Sequence, residues 1–577
     1  MSQDRTDRMT GAEPVWQEYP RPQLQRRSYI NLNGVWEYAI REDSKQPQTF
    51  DGAILVPFSP ESRLSGVEKK LAPRQTLWYR RLFETPELDG GRLLLHFGAV
   101  DQSCRVYVNG LCVGEHVGGY LPFSFDITDC LTDRQNVLTV QVKDELNDPG
   151  FARGKQSNRS AGIWYHATSG IWQTVWMEVV PEVYITSLRI EPELDTGNVH
   201  VSLTTSKPYE EMRIGVSDRD GCLLYSVEVS GAYEVDLPLD GVRPWSPDDP
   251  YLYDLMIALD DDRVTSYFGV RQWSIERNAD NIPCVMLNHK QFFFNGLLDQ
   301  GYWQEGLYTA PSDDALVYDI ATARELGFNT LRKHIKVEPA RWYYHCDRLG
   351  MVVLQDMVNG GGGYNPYVIY LHNRIGSMAD GPAQRGLLAR KNPFGRLSYI
   401  EDLRRTVECL RAFPSIAMWV PFNEGWGQFE SARAAELLHS LDPGRLIDAA
   451  SGWFDQGAGD FISRHVYFKK FQMPAAPAKP VLLSEFGGYA CAVGGHTAAE
   501  HTFGYRHFSD LSDLTESFSK LYCGEIIPTI RHGLCGCIYT QLSDVEQEIN
   551  GIMTYDRKVI KLDVNTVKSI SSRLTAE

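Results

Sequence analysis

From about residue 274 onward, short apolar runs alternate with helical patterns. That grammar restricts the segment to a parallel sheet wrapped by helices. Eight runs read as strands, at 292–296, 328–332, 351–355, 416–421, 446–450, 462–467, 480–484 and 536–541. Helical patterns lie between most of them, as at 313–326, 428–440 and 512–522. Eight strand–helix units in about 300 residues match a (β/α)8 TIM barrel in count and size. Two connections depart from the pattern: 357–396 is long and opens with four glycines, 360–363, and 451–461 carries no helical pattern.

At 577 residues the chain exceeds what one core supports, so several domains are expected. Residues 1–184 read as short strands separated by turn residues, the pattern of a β jelly roll. Leu93–Phe97 and Arg105–Gly110 read there as paired strands ending in an Asn-Gly turn. Residues 185–273 are again short strands, about the length of an immunoglobulin-like β-sandwich. Residues 274–577 form the barrel domain.

The net charge of −17 argues against nucleic acid or an anionic membrane as a partner. The 11 cysteines show no framework and no zinc-type spacing, which predicts free thiols in a reducing compartment. The N-terminus has no apolar stretch of signal-peptide type, and no run is long enough to span a membrane. A cytoplasmic location is therefore expected. No ligand cluster predicts a metal centre, and no cofactor is expected.

Two carboxylates stand where apolar runs end. Glu424 follows Ile416–Phe422 and Asn423, and Glu485 follows Val481–Ser484. A carboxylate there is costly to bury unless it is paired or used. On the strand count they end strands four and seven, and barrel active sites gather at those ends. Two facing carboxylates serve glycoside hydrolysis, one as proton donor and one as attacking anion. A separation of about 5–5.5 Å implies retention of configuration and a wider gap implies inversion. The plain alternative is that each caps a helix or pairs with an arginine.

Pro414–Ile416 with Trp419 and Asn423-Glu424, and then Ser484–Gly487, resemble glycoside hydrolase family 2, the β-galactosidase and β-glucuronidase group. Asn31–Trp36, Trp78–Arg81, Val106–Gly110 and Gly162–Gln173 are similar to that family's N-terminal sugar-binding-type domain, and Tyr267–Arg271 to its middle sandwich. The resemblance implies a retaining β-glycosidase without a redox cofactor. Glu424 takes the place of the general acid/base and Glu485 that of the nucleophile. Asn423 inherits contact with the sugar 2-hydroxyl, and Arg332 matches the family's strand-two arginine.

Further candidates are open between two roles. His334 is either a pocket contact or a packed histidine, since the family's spacing from the arginine differs by one. Tyr467 takes the place of a tyrosine that hydrogen-bonds the nucleophile, and His465 shares its face of the strand. Asp356 and Asp299, the latter followed by Gln300, either bind a hydroxyl or pair with an arginine. Trp426, Trp453 and Trp303 are stacking candidates, with Trp426 preferred because it adjoins Glu424. Gln541 and Asp544 stand where the family often has a tryptophan in strand eight.

Gly551–Lys558 matches a β-glucuronidase stretch, but the residues before it are Glu548-Ile549-Asn550, with no lysine to hold a uronate. A neutral terminal sugar is expected, most simply a β-galactoside. An α-L-arabinopyranoside, a β-galactofuranoside and a β-mannoside stay open, as does transglycosylation. A non-catalytic carbohydrate-binding protein is the alternative from another class. The family also implies homo-oligomers, with the Gly360–Gly363 loop as the place for a second copy to complete the pocket.

Overall fold

The computed structural model describes residues 15–369 and 377–576. Its N-terminal part is two antiparallel sheets face to face. The larger has six strands and the smaller four, the latter built from Tyr29–Asn31, Val175–Val180, Arg92–Phe97 and Phe123–Asp126. Trp36, Tyr79, Leu95, Val106, Val140 and Met177 pack between them. The expected pairing of Leu93–Phe97 with Arg105–Val108 is corrected, because the two lie in different sheets. The Asn109-Gly110 turn, with both φ values positive, instead joins Ser103–Val108 to the strand directly after it, Leu111–Val117. Such a two-residue turn reverses the chain onto its immediate neighbour.

A three-stranded and a four-stranded sheet follow, closing on Val199, Val201, Ile214, Val216, Leu255 and Ile257. Trp245 anchors this sandwich to the next domain by donating its indole N–H to the Asp347 carbonyl at 2.8 Å.

The C-terminal part is the barrel. Its strands are β1 (Phe294–Asp299), β2 (Thr330–Lys333), β3 (Val352–Asp356), β4 (Ile416–Val420), β5 (Leu446–Ile447), β6 (Ile462–Val466), β7 (Val481–Gly487) and β8 (Leu534–Thr540). All eight expected strands form, in the parallel order β5-β4-β3-β2-β1-β8-β7-β6. Strands covered on both faces need apolar residues at every position, which is why β4 is buried throughout. Helices α1 (Asp313–Glu325), α2 (Ala340–Leu349), α3 (Pro393–Leu410), α4 (Ser431–Leu441), α5 (Leu511–Leu521) and α6 (Val564–Ala576) surround it. The segment between β5 and β6 has no helix, as expected. There Asp460 closes the seam, its N–H donating to the Ile447 carbonyl at 2.8 Å and its carboxylate accepting from the Ile447 N–H at 2.7 Å.

Candidate active site

Glu424 is held by backbone as much as by side chain. It adopts a left-handed conformation, φ 51°, and its N–H donates to the Ser451 carbonyl at 3.0 Å. A non-glycine residue held there costs of order 1–3 kcal/mol, and such strain clusters at functional sites. Glu485 lies within β7, buried at the barrel mouth.

His465, at the end of β6, stands between them. Its Nδ1 is 2.8 Å from Glu424 Oε1 and 3.5 Å from Glu485 Oε2. One oxygen from each carboxylate and a His465 nitrogen all lie within 4.8 Å of one another. These are the described side chains grouped closely enough to bind a cation, but their atoms are already engaged. Arg332 Nη1 donates to Glu485 Oε1 at 3.2 Å, and the Tyr467 hydroxyl donates to Glu485 Oε2 at 2.5 Å. Thr540 Oγ1 lies 2.9 Å from the same hydroxyl.

Arg332 is the hub. Nε and Nη2 reach the two oxygens of Asp356 at 2.9 and 3.0 Å, and Nη2 also donates to Asn423 Oδ1 at 2.8 Å. Burial pulls its guanidinium pKa down, but Asp356 and Glu485 outweigh that and hold it above the ordinary value. Because the Asn423 oxygen faces Arg332, its amide NH2 is left buried without a protein partner among the described residues.

Below the pair, Ser451 Oγ lies 3.1 Å from His465 Nε2 and donates to Ser484 Oγ at 2.9 Å. Ser463 Oγ lies 2.6 Å from Ser484 Oγ and donates to Asp448 at 2.8 Å. Burial raises Asp448 to about 6.

Glu424, Glu485, Asn423, Arg332, His465 and Tyr467 thus converge at one mouth. His465 and Tyr467 both reach the pair, so the choice between them dissolves. Asp356 is spent on Arg332 and on His334 Nδ1, 2.8 Å away, which leaves it positioning those side chains. Burial and then the charge of Lys155 hold His334 well below the ordinary histidine pKa.

Asp299 is a correction. Leu298 belongs to the barrel interior, so Asp299 alternates to the helix-facing side. There it takes Lys333 Nζ at 2.6 Å, and Lys333 also reaches Glu338 at 2.9 Å. Gln541 accepts from Gln300 Nε2 at 2.8 Å, and its own amide nitrogen has no partner among the described residues. Asp544 is taken by Lys561 at 2.7 Å, and Trp303 lies under Arg557, 4.1 Å from its ring, as part of the core. Trp426 is buried in a stack with Trp164 and Tyr364, ring centroids 5.1 and 6.0 Å away, while Trp453 meets it edge-on at 6.4 Å.

The N-terminal domain contributes what sequence reasoning missed. Arg153 and Gly154 N–H groups donate to the Asn359 carbonyl at 2.9 and 3.0 Å, and Arg153 Nη2 donates to the Gly362 carbonyl at 3.1 Å. The first part of the Gly360–Gly363 loop therefore packs on this chain's own N-terminal domain, while Gly363 is exposed. This strap, residues 153–165, brings in Lys155, Trp164 and Tyr165, whose hydroxyl donates to Glu548. Nothing local in Arg153-Gly154-Lys155 signals this, since the strap is located only by contacts some 200 residues away along the chain.

Three family models match the chain in order: glycosyl hydrolases family 2, sugar binding domain, over residues 67–179; glycosyl hydrolases family 2 over 183–271; and glycosyl hydrolases family 2, TIM barrel domain, over 283–568. The β-galactosidase large subunit of Leuconostoc lactis is 24% identical over 507 residues, covering 84% of this chain and 74% of that protein. A β-glucuronidase of Streptococcus agalactiae is 21% identical over 529 residues, covering 81% and 84%. Among solved structures, the β-glucuronidase of Dictyoglomus thermophilum shares the fold with a TM-score of 0.74 at 18% identity, covering 96% of this chain and 98% of that one. With its three domains in the family's order and a β-glycosidase kinship on both sides of the galactoside–glucuronide divide, the chain belongs to glycoside hydrolase family 2 and is a glycoside hydrolase.

Proposed function

We propose that the protein is a retaining exo-β-glycosidase acting on a neutral terminal sugar. Glu485 attacks the anomeric carbon, and Glu424 protonates the departing oxygen and then activates water. The carrying observation is the closeness of the pair: an oxygen of each and a His465 nitrogen lie mutually within 4.8 Å. That fits the retaining separation of about 5–5.5 Å better than the 6.5–9.5 Å or so that leaves room for an inverting water.

The two carboxylates have different partners. Arg332 and Tyr467 both donate hydrogen bonds to Glu485. Glu424 lies against the His465 ring, 2.8 Å from Nδ1. Behind it, His465 Nε2 lies 3.1 Å from Ser451 Oγ, which fixes the ring against the carboxylate. Asn423 presents its free NH2 toward a sugar hydroxyl, a contact that strengthens as positive charge develops on the ring.

Glu548 supports the neutral glycone. It is buried, accepts from Tyr165 and from Asn550 Nδ2 at 3.0 Å, and burial raises its pKa. A uronate carboxylate brought to it adds a second buried acid. A galactose-configured sugar is the preferred substrate, with α-L-arabinopyranoside, β-galactofuranoside and β-mannoside as the alternatives.

The test is an aryl-glycoside panel spanning these sugars and β-glucuronide, with proton NMR of the first anomer released. A neutral glycoside cleaved with retention is expected. A β-glucuronide cleaved fastest overturns the glycone assignment, and an inverted first product overturns the mechanism.

A further inference from the structure

We infer that Lys155, reaching the barrel mouth from the N-terminal domain, is a substrate-binding residue that works with Glu548 to read one hydroxyl of the glycone. This deepens, and rests on, the retaining-glycosidase assignment.

Four lysines are buried among the described residues: Lys155, Lys333, Lys336 and Lys561. The other three are saturated. Lys333 is shared between Asp299 and Glu338 at 2.6 and 2.9 Å. Lys336 donates to the carbonyls of Gly301 and Tyr308 at 2.6 and 2.7 Å. Lys561 donates to Asp544 and to the Ile549 carbonyl, both at 2.7 Å. Among the described residues, the Lys155 ammonium makes no such bond. Its neighbours are ring faces, with Nζ 4.7 Å from the Trp426 centroid and 5.6 Å from that of Trp164.

Lys155 is largely buried, and aromatic faces beside its ammonium replace only part of what water supplies. The chain nevertheless holds Lys155 firmly. Its carbonyl accepts from the Tyr165 N–H at 3.1 Å, and a Cβ on Gly154 would come within 2.7 Å of the Ile335 carbonyl oxygen. The strap therefore presses its backbone onto the barrel rim directly beside Lys155.

The charges around the ammonium define what it binds. The carboxylates acting on it are, in order of strength, Glu548, Glu485 and Glu424. Lys155 stands over Trp426, which adjoins the Glu424 turn, so its ammonium lies at the same mouth as the pair. Glu548 stays in place through Tyr165 and Asn550. An ammonium donates only and a carboxylate accepts only. A hydroxyl between them does both, accepting from Lys155 and donating to Glu548. A substrate carboxylate satisfies Lys155 but leaves Glu548 opposed.

The experiment crosses protein and substrate deletions. Wild type, Lys155→Met, Lys155→Gln and Glu485→Gln are assayed on the cleaved aryl glycoside and on its monodeoxy analogues. Lys155→Met keeps the aliphatic stem over Trp164 and Trp426, and Lys155→Gln keeps a donor. For Lys155→Met, kcat/KM on the parent glycoside should fall by about 10- to 100-fold, the range for a hydrogen bond to a charged group. On one monodeoxy analogue wild type should show a similar loss, and Lys155→Met no further loss. Lys155→Gln should recover part of the activity. Lys155→Met within threefold of wild type, or losses that multiply on every analogue, overturns the inference while the mechanism stands. Retained activity in Glu485→Gln overturns the mechanism and the inference with it.

Discussion

His465 Nδ1 lies 2.8 Å from Glu424 Oε1, so the imidazole and the acid/base candidate share one hydrogen. The other ring nitrogen is 3.1 Å from Ser451 Oγ, which fixes the ring from behind. Glu485 instead faces a guanidinium and a phenol. The two glutamates thus have different hydrogen-bond partners.

If Glu424 is the proton donor, its removal should matter in proportion to how badly the leaving group needs a proton. Glu424→Ala should lose at least about a hundredfold in kcat/KM on an alkyl or methylphenyl glycoside and much less on a dinitrophenyl glycoside. Steady-state kinetics over a leaving-group series measures this. Equal losses across the series contradict the role.

Tyr467→Phe removes one donor from the anionic nucleophile without opening a large cavity. The expected cost is about 1.5–3 kcal/mol, the range for a hydrogen bond to a charged group, seen mainly in kcat. Thermal unfolding should stay close to wild type, and a large fall in Tm instead points to a packing role.

Much of this site is legible in the sequence because barrel geometry converts strand order into position. Asn423-Glu424 and Ser484-Glu485 end apolar runs, and the fourth and seventh strands of one barrel bring such ends to a common mouth. Arg332 follows from the same logic on β2. Asp299 misleads for a reason of parity: at the end of a short strand, a shift of one residue moves a side chain from mouth to helix layer. Lys155, Trp164 and Tyr165 are illegible because their role depends on how two domains dock. The Leu93–Phe97 pairing fails similarly, since adjacent strands in a jelly roll often belong to opposite sheets.

Arg332→Met leaves Asp356 and Glu485 without their cation in a buried site. Removal of one partner of a buried ion pair typically costs about 3–5 kcal/mol. Denaturant unfolding should show a loss of that order in the barrel transition, together with loss of activity. A variant as stable as wild type contradicts the hub assignment.

Asp347 gives a pH dependence of stability. Tyr267 from the sandwich donates to it at 2.8 Å, and so does the Ser415 N–H at the start of β4. Burial raises its carboxyl to about 7 from the ordinary 3.8. Over that window the folded chain keeps a proton that the unfolded chain has lost, so its contribution is full below the ordinary value and fades as pH rises through about 7. Asp347→Asn removes the titration. The stability of wild type relative to this variant should therefore fall between about pH 4 and pH 7, which paired melts can follow. A constant difference contradicts the assignment.

The most direct test is covalent trapping. The enzyme is incubated with an activated 2-deoxy-2-fluoro glycoside of the sugar it cleaves fastest, digested, and mapped by mass spectrometry. One sugar per chain attached to Glu485, with no label in Glu485→Gln, is the expected result. A label on Glu424 or Glu548, or full turnover with no trapped intermediate, contradicts the assignment of Glu485 as the nucleophile.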